Sequence, residues 1–282
     1  MKPEKNKELR LKANCVRKMA LEAVYSAGAG HPGGSLSSAD ILTYLYSEAM
    51  NIDPKNPDFQ DRDRLVLSKG HCSPALYGAL AMAGFIPKED IKTFRQIDSY
   101  LQGHPDMKNI PGVDMSTGSL GQGISAACGM AKVAKIDNKD YRVYAVLGDG
   151  ECEEGQVWEA AMFAAHYKLD NLIAFLDFNG LQIDGKITDV INPTPFDKKF
   201  EAFGWNVILI NGHNFEEIED AIEAAKRVKD KPSIIIAKTV KGKDVSFMED
   251  KAEWHGSAPN EEQYNLAINE LDALEKKIGG EA

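Results

Sequence analysis

Two short polar segments, 30 residues apart, carry groups that could bind a metal ion. Gly148-Asp149-Gly150 follows an apolar stretch predicted to be a strand, and Asn179-Gly180 follows the next such stretch. This spacing fits one strand–helix–strand unit, so both segments would lie at the carboxyl edge of a parallel sheet. Carboxylate, amide and backbone carbonyl oxygens suit Mg²⁺, and glycines before a helix N-terminus suit a diphosphate. Asp149-Gly150 alone is typical of a turn, but the matching Asn-Gly favours a metal and diphosphate site.

Histidines form the second group of candidate residues, because five of the six are next to a glycine. Average glycine usage predicts only about one such histidine in a set of six. A histidine bounded by glycine is presented to a ligand on backbone that can approach closely. The five are His31, His71, His104, His213 and His255. A turn before a capped helix explains His213 as well, and His166, inside an apolar stretch, is expected to be structural.

The predicted helix between the two polar segments is apolar on nearly every side. Residues 157–165 leave no polar face of the kind that a surface helix over a sheet presents to water. We therefore expect Glu154 and Glu159 to lie in or beside a protein–protein interface. The alternative is a central helix of one large domain, with both carboxylates in water.

The elements that would position these groups alternate between strand and helix in the second half of the chain. This alternation predicts right-handed crossovers and a doubly wound, mainly parallel α/β sheet with helices on both faces. Strands are predicted at Leu65–Leu67, Val143–Leu147, Leu172–Phe178, Val207–Ile210 and Ser233–Ala237. Helices are predicted at residues 5–28, 37–50, 73–84, 124–135, 154–168, 215–229 and 261–277, with another beginning at Pro87, and loops at HPGGS, 53–63 and 112–123.

The amino-acid composition limits the classes of protein to which this chain could belong. The 282 residues are 43% hydrophobic and 27% charged, which is ordinary for a globular protein, and their formal net charge is −10. The acidic balance argues against a nucleic-acid-binding protein. No apolar run approaches the roughly 20 residues of a membrane span, and the first residues lack the apolar core of a signal peptide. Four scattered cysteines without a CxxC pair predict reduced thiols in a cytoplasmic protein and argue against a zinc site.

Taken together, the motifs resemble those of transketolase, a family of thiamine diphosphate-dependent enzymes. GDGECEEG through DFNGLQIDG is similar to the thiamine diphosphate signature, and GHPGGSLSSAD, LSKGHCSPALY, QGHPD and STGSLGQG resemble transketolase motifs. The resemblance runs from about Cys15 to Ala258 and covers only the first of the family's three domains. It implies a single diphosphate-binding domain over residues 1–282, with helical extensions at both ends and without the pyrimidine-binding and C-terminal domains.

The resemblance implies the N-terminal subunit of a split transketolase, which transfers a two-carbon ketol unit from a ketose phosphate to an aldose phosphate. The implied cofactor is thiamine diphosphate with Mg²⁺, for which Ca²⁺ or another divalent cation substitutes. The implied partner is a C-terminal subunit whose pyrimidine-binding domain supplies the activating glutamate. The chain is then expected to be inactive alone, to self-associate, and to form a heterotetramer with that partner. Two alternatives stay open: a subunit of another thiamine diphosphate enzyme acting on a different sugar, and a non-catalytic cofactor-binding domain.

The same resemblance assigns roles to individual residues. The metal ligands would be Asp149, Asn179 and the carbonyl of Leu181. The other cofactor contacts would be Gly118, Ser119, Leu120, Gly148, Gly150, His71, Glu154 and Ile183, with Ile183 on the thiazolium and Glu154 communicating with the partner's glutamate. The channel above the thiazolium would be lined by His31, His71, His104 and His255, which bind sugar oxygens or phosphates and assist proton transfer. The sequence departs from the family at Ser119, where proline is common, at Lys69, where asparagine is common, and in the segment before His255.

Overall fold

A five-stranded parallel sheet lies at the centre of the computed structural model, which describes residues 1–280. The strands of this range are β1 (Arg64–Leu67), β2 (Val143–Gly148), β3 (Leu172–Phe178), β4 (Leu181–Gln182), β5 (Gly185–Lys186), β6 (Asn206–Asn211) and β7 (Ser233–Lys238). The central sheet has the order β1-β2-β3-β7-β6, and each neighbouring pair is parallel. Strands β4 and β5 form a small antiparallel hairpin beside it. The predicted fold class is confirmed.

Helices cover both faces of this sheet. They are α1 (Pro3–Ala27), α2 (Pro32–Tyr44), α3 (Ser73–Ala83), α4 (Gln122–Ile136), α5 (Gly155–His166), α6 (Ile187–Val190), α7 (Phe196–Ala202), α8 (Phe215–Arg227) and α9 (Glu261–Gly279). Alternate residues of a strand point to opposite faces, so Tyr144 and Val146 of β2 join the core under α1, α2, α3 and α8. Ala145 and Leu147 join the core under α4, α5 and α7. Within residues 1–280, no helix has the length and apolar character needed to cross a membrane.

The glycines of HPGGS belong to a helix, so the predicted loop is wrong. Helix α2 begins at Pro32, with His31 as its N-cap residue, and all of its residues are buried. An added Cβ at Gly33 would lie 2.8 Å from the Trp254 carbonyl oxygen, and one at Gly34 would lie 2.7 Å from Cys72 Sγ. These glycines therefore allow close packing, and the burial of the helix outweighs their low intrinsic helix propensity.

Most other predicted elements are present within two residues of their predicted ends. The helix predicted after Pro87 is instead a 3₁₀ helix, Lys88–Thr93, which ends at Phe94, where ψ is 128°, and the next residue, Arg95, has a φ of +60°. The hairpin β4-β5 and the short helices α6 and α7 were not predicted, since such short segments hardly display a hydrophobic period.

Candidate active site

The two polar segments meet where β2 and β3 end, as the spacing predicted. Asp149 is buried, and its Oδ1 accepts a hydrogen bond from Gly150 N at 2.8 Å while its Oδ2 accepts one from Gly180 N. Asn179 is also buried, and its Oδ1 accepts from Leu181 N at 3.1 Å. The carboxylate, the amide and the Leu181 backbone thus share one sheet edge.

A cavity of about 280 Å³ opens at this edge. Ten of the fourteen predicted site residues line it: His71, Leu120, Gly148, Asp149, Gly150, Glu154, Asn179, Leu181, Ile183 and His255. The four that do not line it are His31, His104, Gly118 and Ser119. Gly118 packs against His104, since an added Cβ there would lie 3.1 Å from His104 Cδ2. Ser119, the next residue, is exposed. Ile183 is 65% exposed, so this wall of the cavity lacks a cover in the isolated chain.

Two buried lysines, both missed as site residues by sequence reasoning, form the floor of the cavity. Lys69 makes an ion pair with Asp177, and Asp177 also accepts hydrogen bonds from Ser37 and Thr239. Lys241 Nζ donates to the Leu181 carbonyl at 3.2 Å and lies 3.0 Å from His255 Nδ1.

Lys241 is a buried cation whose charged form Asp149 and Asp177 favour without making a direct ion pair with it. No carboxylate of residues 1–280 forms an ion pair with it, and burial next to Lys69 lowers its pKa to about 8. It follows β7 by three residues, so the rule that ligands bind at the carboxyl edge of parallel strands could have drawn attention to it.

Two buried carboxylates shape the backbone around the cavity. Burial, and then the nearby charge of Asp177, raise the pKa of Asp149 to about 6. Glu151 accepts hydrogen bonds from Gly148 N and Gly121 N, each at 2.9 Å, and from the Ser68 hydroxyl. Glu151, which sequence reasoning also missed, therefore ties the end of β2 to the glycine-rich loop before α4.

Four histidines gather above the floor. The ring centroid of His31 lies 5.2 Å from that of His71, 6.4 Å from that of His104 and 5.5 Å from that of His255. They come from four separate parts of the chain, so four of the five histidines that have a glycine neighbour lie together in the fold. His213 lies elsewhere, with Nδ1 2.7 Å from Asp40 Oδ2 and Nε2 accepting from Val240 N. His166 is exposed at the end of α5 rather than part of the core.

The clustered imidazoles are held in the neutral form. Burial, followed by the charges of Arg95, His104 and Lys241, lowers the pKa of His31 to about 4. Burial, followed by Lys241, lowers the pKa of His255 to about 3. Burial also lowers the pKa of His71, and partial burial followed by the charge of Arg95 lowers the pKa of the more exposed His104. His31 Nδ1 is buried without a hydrogen-bond partner in the described chain, which leaves it free for a ligand.

The donor set fits a divalent cation that shares its coordination with a diphosphate. Among residues 1–280, no three His, Cys, Asp or Glu side chains converge as they do in a metal site made by protein alone. One carboxylate, one amide and one carbonyl leave positions open for phosphate oxygens around Mg²⁺, and Lys241 adds a positive charge. Gly150 packs closely against Gln182, since an added Cβ would lie 2.9 Å from Gln182 Oε1.

Helix α5 begins at the cavity and carries an exposed apolar surface towards its C-terminal end. Glu154, the N-cap residue of α5, is exposed and lines the cavity, and Met162 and Phe163 are 54% and 40% exposed. The Phe163 and Tyr167 rings lie 4.6 Å apart, and Lys132 of α4 lies over Tyr167. Only one face of α5 is buried inside this chain, through Val157, Ala160, Ala161 and Ala164. Burial of α5 on every side, as predicted, would therefore require a second protein surface against its exposed face.

Comparisons with known proteins agree with the resemblance that the sequence motifs show. The family model described as "Transketolase, thiamine diphosphate binding domain" matches residues 9–277. A 6-deoxy-6-sulfo-D-fructose transketolase subunit from a Clostridium species is 50% identical over 95% of this chain and 98% of its own length. An apulose-4-phosphate transketolase subunit from Phocaeicola vulgatus is 43% identical over 96% and 98%. The crystal structure of Campylobacter jejuni transketolase superposes with a TM-score of 0.84 at 36% identity, covering 96% of this chain and 48% of that one.

Proposed function

Because this chain belongs to the transketolase family, we propose that it is the N-terminal subunit of a split transketolase. Its reaction would transfer a two-carbon ketol unit from an anionic ketose to an aldose phosphate. The observation that carries the proposal is the meeting of Asp149, Asn179 and the Leu181 carbonyl below a cluster of neutral histidines. The two subunit-length relatives support a two-chain enzyme, because they are named transketolase subunits for a sulfonated and a phosphorylated sugar.

The cofactor would be thiamine diphosphate with Mg²⁺, or Ca²⁺ in its place. Asp149, Asn179 and the Leu181 carbonyl would hold the cation, while the backbone of Gly150 and the ammonium group of Lys241 would contact the diphosphate. Gly118, Ser119 and Leu120 would lie beside the cofactor, and Ile183 would pack on its thiazolium ring. When bound, thiamine diphosphate supplies the nucleophilic carbon that takes up the two-carbon fragment.

The histidines would act on the sugar. A neutral imidazole can donate one hydrogen bond and accept another, so His31, His71, His104 and His255 would hold the hydroxyl and carbonyl oxygens of the donor and move protons between them. Each hydrogen bond to a developing oxyanion contributes on the order of 3 kcal/mol to transition-state stabilisation. The lowered pKa values of these rings favour the neutral form, which both donates and accepts a hydrogen bond.

The exposed face of α5 would bind the partner subunit, which carries a pyrimidine-binding domain and the activating glutamate. This apolar surface is formed by Met162, Phe163 and Tyr167 on the same helix whose N-cap residue, Glu154, lines the cavity. A partner seated there would cover the exposed wall of the cavity and bring its own carboxylate beside Glu154. In this proposal residues 1–282 form one diphosphate-binding domain in a cytoplasmic heterotetramer, and the four free cysteines support a reducing compartment.

The test is reconstitution with the C-terminal partner. We expect ketol transfer from a ketose phosphate only in the mixture, and weak thiamine diphosphate binding and self-association by the chain alone. Met162→Glu should weaken assembly and activity together by about 100-fold, since it buries a charge in an apolar interface. Leu266→Glu on α9, which is 47% exposed, is the matched control and should assemble normally. Ketol transfer by the isolated chain at an enzymatic rate would contradict the two-chain proposal.

A further inference from the structure

His213 is the fifth histidine with a glycine neighbour, and it lies away from the histidine cluster. It follows β6, and Gly212 N donates to the carbonyl of Lys238, the last residue of β7, at 2.8 Å. An added Cβ at Gly212 would lie 2.5 Å from Thr239 Cγ2, so glycine lets these two chain segments approach closely. The imidazole is thereby brought beside the segment that leads from β7 to Lys241.

The hydrogen bonds of His213 require one particular tautomer of its ring. Nε2 accepts a hydrogen bond from Val240 N at 2.9 Å, so this nitrogen carries no proton. Nδ1 lies 2.7 Å from Asp40 Oδ2, so it carries the proton and donates a hydrogen bond to the carboxylate. His213 is therefore a neutral link between Asp40 and the backbone immediately before Lys241.

A buried ion pair with Arg17 of α1 holds Asp40 in place. Arg17 Nη1 donates to Asp40 Oδ1 at 3.2 Å, and Arg17 Nη2 pairs with Oδ2. Burial would raise the pKa of Asp40, but the charge of Arg17 and the hydrogen bond from His213 hold it below its usual range. Arg17 Nε also lies 3.4 Å from Oδ2 of Asp244, which follows Lys241 by three residues. The network thus contacts the chain on both sides of Lys241.

A fixed backbone matters at Lys241 because its ammonium group lies at the end of a flexible four-carbon stem. The ammonium is 3.2 Å from the Leu181 carbonyl and 3.0 Å from His255 Nδ1, so it has a defined place in the cavity floor. His213 is not among the described residues that line the cavity. Any influence of His213 on the floor therefore passes through the backbone at Val240.

We propose that His213 is a positioning residue that sets the place of Lys241 in the cavity floor through Val240 N. The inference rests on the proposed function, in which the ammonium group of Lys241 contacts the diphosphate of the cofactor. It gives a role to the buried network of Arg17, Asp40 and His213, which the proposed reaction does not use. Loss of the link should move the ammonium group away from the diphosphate without removing its charge.

The main test is a double-mutant cycle on thiamine diphosphate affinity, measured by calorimetry with Mg²⁺ on the assembly with the C-terminal partner. His213→Phe keeps a ring but removes both hydrogen bonds, and it should weaken binding about tenfold. Lys241→Met removes the ammonium group and should weaken binding about 30-fold, as expected for a hydrogen bond between charged groups. In the Lys241→Met background, His213→Phe should change the affinity by less than about twofold, because the group that His213 positions is gone.

Two further variants separate positioning from a general loss of stability. His213→Gln places an amide oxygen near the position of the imidazole Nε2, where it accepts from Val240 N, so it should recover most of the lost affinity. Asn214→Ala removes the N-cap of α8, whose side chain accepts from Glu216 N and Glu217 N, but leaves His213 intact. This control should lower the urea midpoint of unfolding and keep the affinity within about twofold of wild type.

Nitrogen-15 NMR of histidine-labelled wild-type protein tests the link without cofactor and without a variant that must fold. His213 should carry a proton on Nδ1 and none on Nε2, and its signal is the one absent from His213→Gln. The opposite tautomer, or a ring protonated on both nitrogens, would overturn the inference, because Nε2 could not then accept from Val240 N.

The binding outcomes separate this inference from the proposed function. In an assembly that binds thiamine diphosphate, wild-type affinity in His213→Phe would overturn the inference alone. An equal loss with and without the Lys241 ammonium group, no recovery in His213→Gln, or a parallel loss in Asn214→Ala would do the same. A wild-type assembly that binds no thiamine diphosphate would overturn the proposed function, and this inference with it.

Discussion

The floor of the cavity and the histidine cluster above it differ in charge: the floor consists of charged side chains and the cluster of neutral rings. The floor buries two carboxylates, Asp149 and Asp177, with two ammonium groups, Lys69 and Lys241, and each is hydrogen-bonded. The cluster contains only neutral rings, and His31 Nδ1 has no partner in the described chain. Buried charges require such pairing, whereas neutral imidazoles tolerate open positions. The comparison indicates that the floor is built to hold a charged group and the cluster to exchange hydrogen bonds with hydroxyl and carbonyl groups.

Lys241 couples the two regions. It belongs to the floor through the Leu181 carbonyl, but it also contacts His255 Nδ1. Its positive charge is among the causes that lower the pKa of His31, His71 and His255. Burial is the largest cause of these lowered pKa values, and the positive charge of Lys241 adds to it. Loss of that charge should therefore raise the pKa of the nearby histidines.

The largest effect should come from breaking the floor with Asp149→Ala. This change removes the only carboxylate among the three candidate metal ligands, so metal-dependent binding of thiamine diphosphate should weaken by about 1,000-fold or more. Titration calorimetry of the assembly with thiamine diphosphate and Mg²⁺ measures it. Asp220→Ala, an exposed aspartate on α8, is the control and should bind as wild type. Undiminished affinity in Asp149→Ala would remove this residue from the metal site.

A smaller and different effect is expected from His104→Ala in the cluster. His104 is exposed and does not line the cavity, so thiamine diphosphate affinity should stay within about threefold of wild type. Ketol transfer should fall roughly 100-fold in kcat, which is typical for loss of one group that assists proton transfer. Steady-state kinetics and calorimetry on the same sample make the comparison. Partial recovery in His104→Gln would identify a hydrogen-bonding role, whereas a near-normal kcat in His104→Ala would exclude His104 from the reaction.

How much of this site could be predicted from the sequence depends on how far apart along the chain the contacting residues lie. Asp149 and Asn179 were predictable because the length of a strand–helix–strand unit fixes where both strands end. Lys69 was not, because its partner Asp177 lies 108 residues further along the chain. The glycines at 33 and 34 were misread as a loop, since their contacts with Trp254 and Cys72 arise only on folding. Periodicity predicts elements, but such long-range packing decides which of them become buried.

The smallest effect should appear in the pH dependence of stability and tests the neutrality of the cluster directly. Because burial lowers the pKa of His31 from 6.5 to about 4, the unfolded chain binds a proton there between these pH values while the folded chain does not. Stability is therefore fully present above about pH 6.5 and falls as the pH drops towards 4. His31→Gln should lose less stability than wild type between pH 7 and pH 5, by about 1 kcal/mol after allowance for partial exposure. Urea denaturation at the two pH values measures this, with the exposed His166→Gln as the control. Equal losses in wild type and His31→Gln would mean that His31 accepts a proton as readily in the folded chain as in the unfolded one.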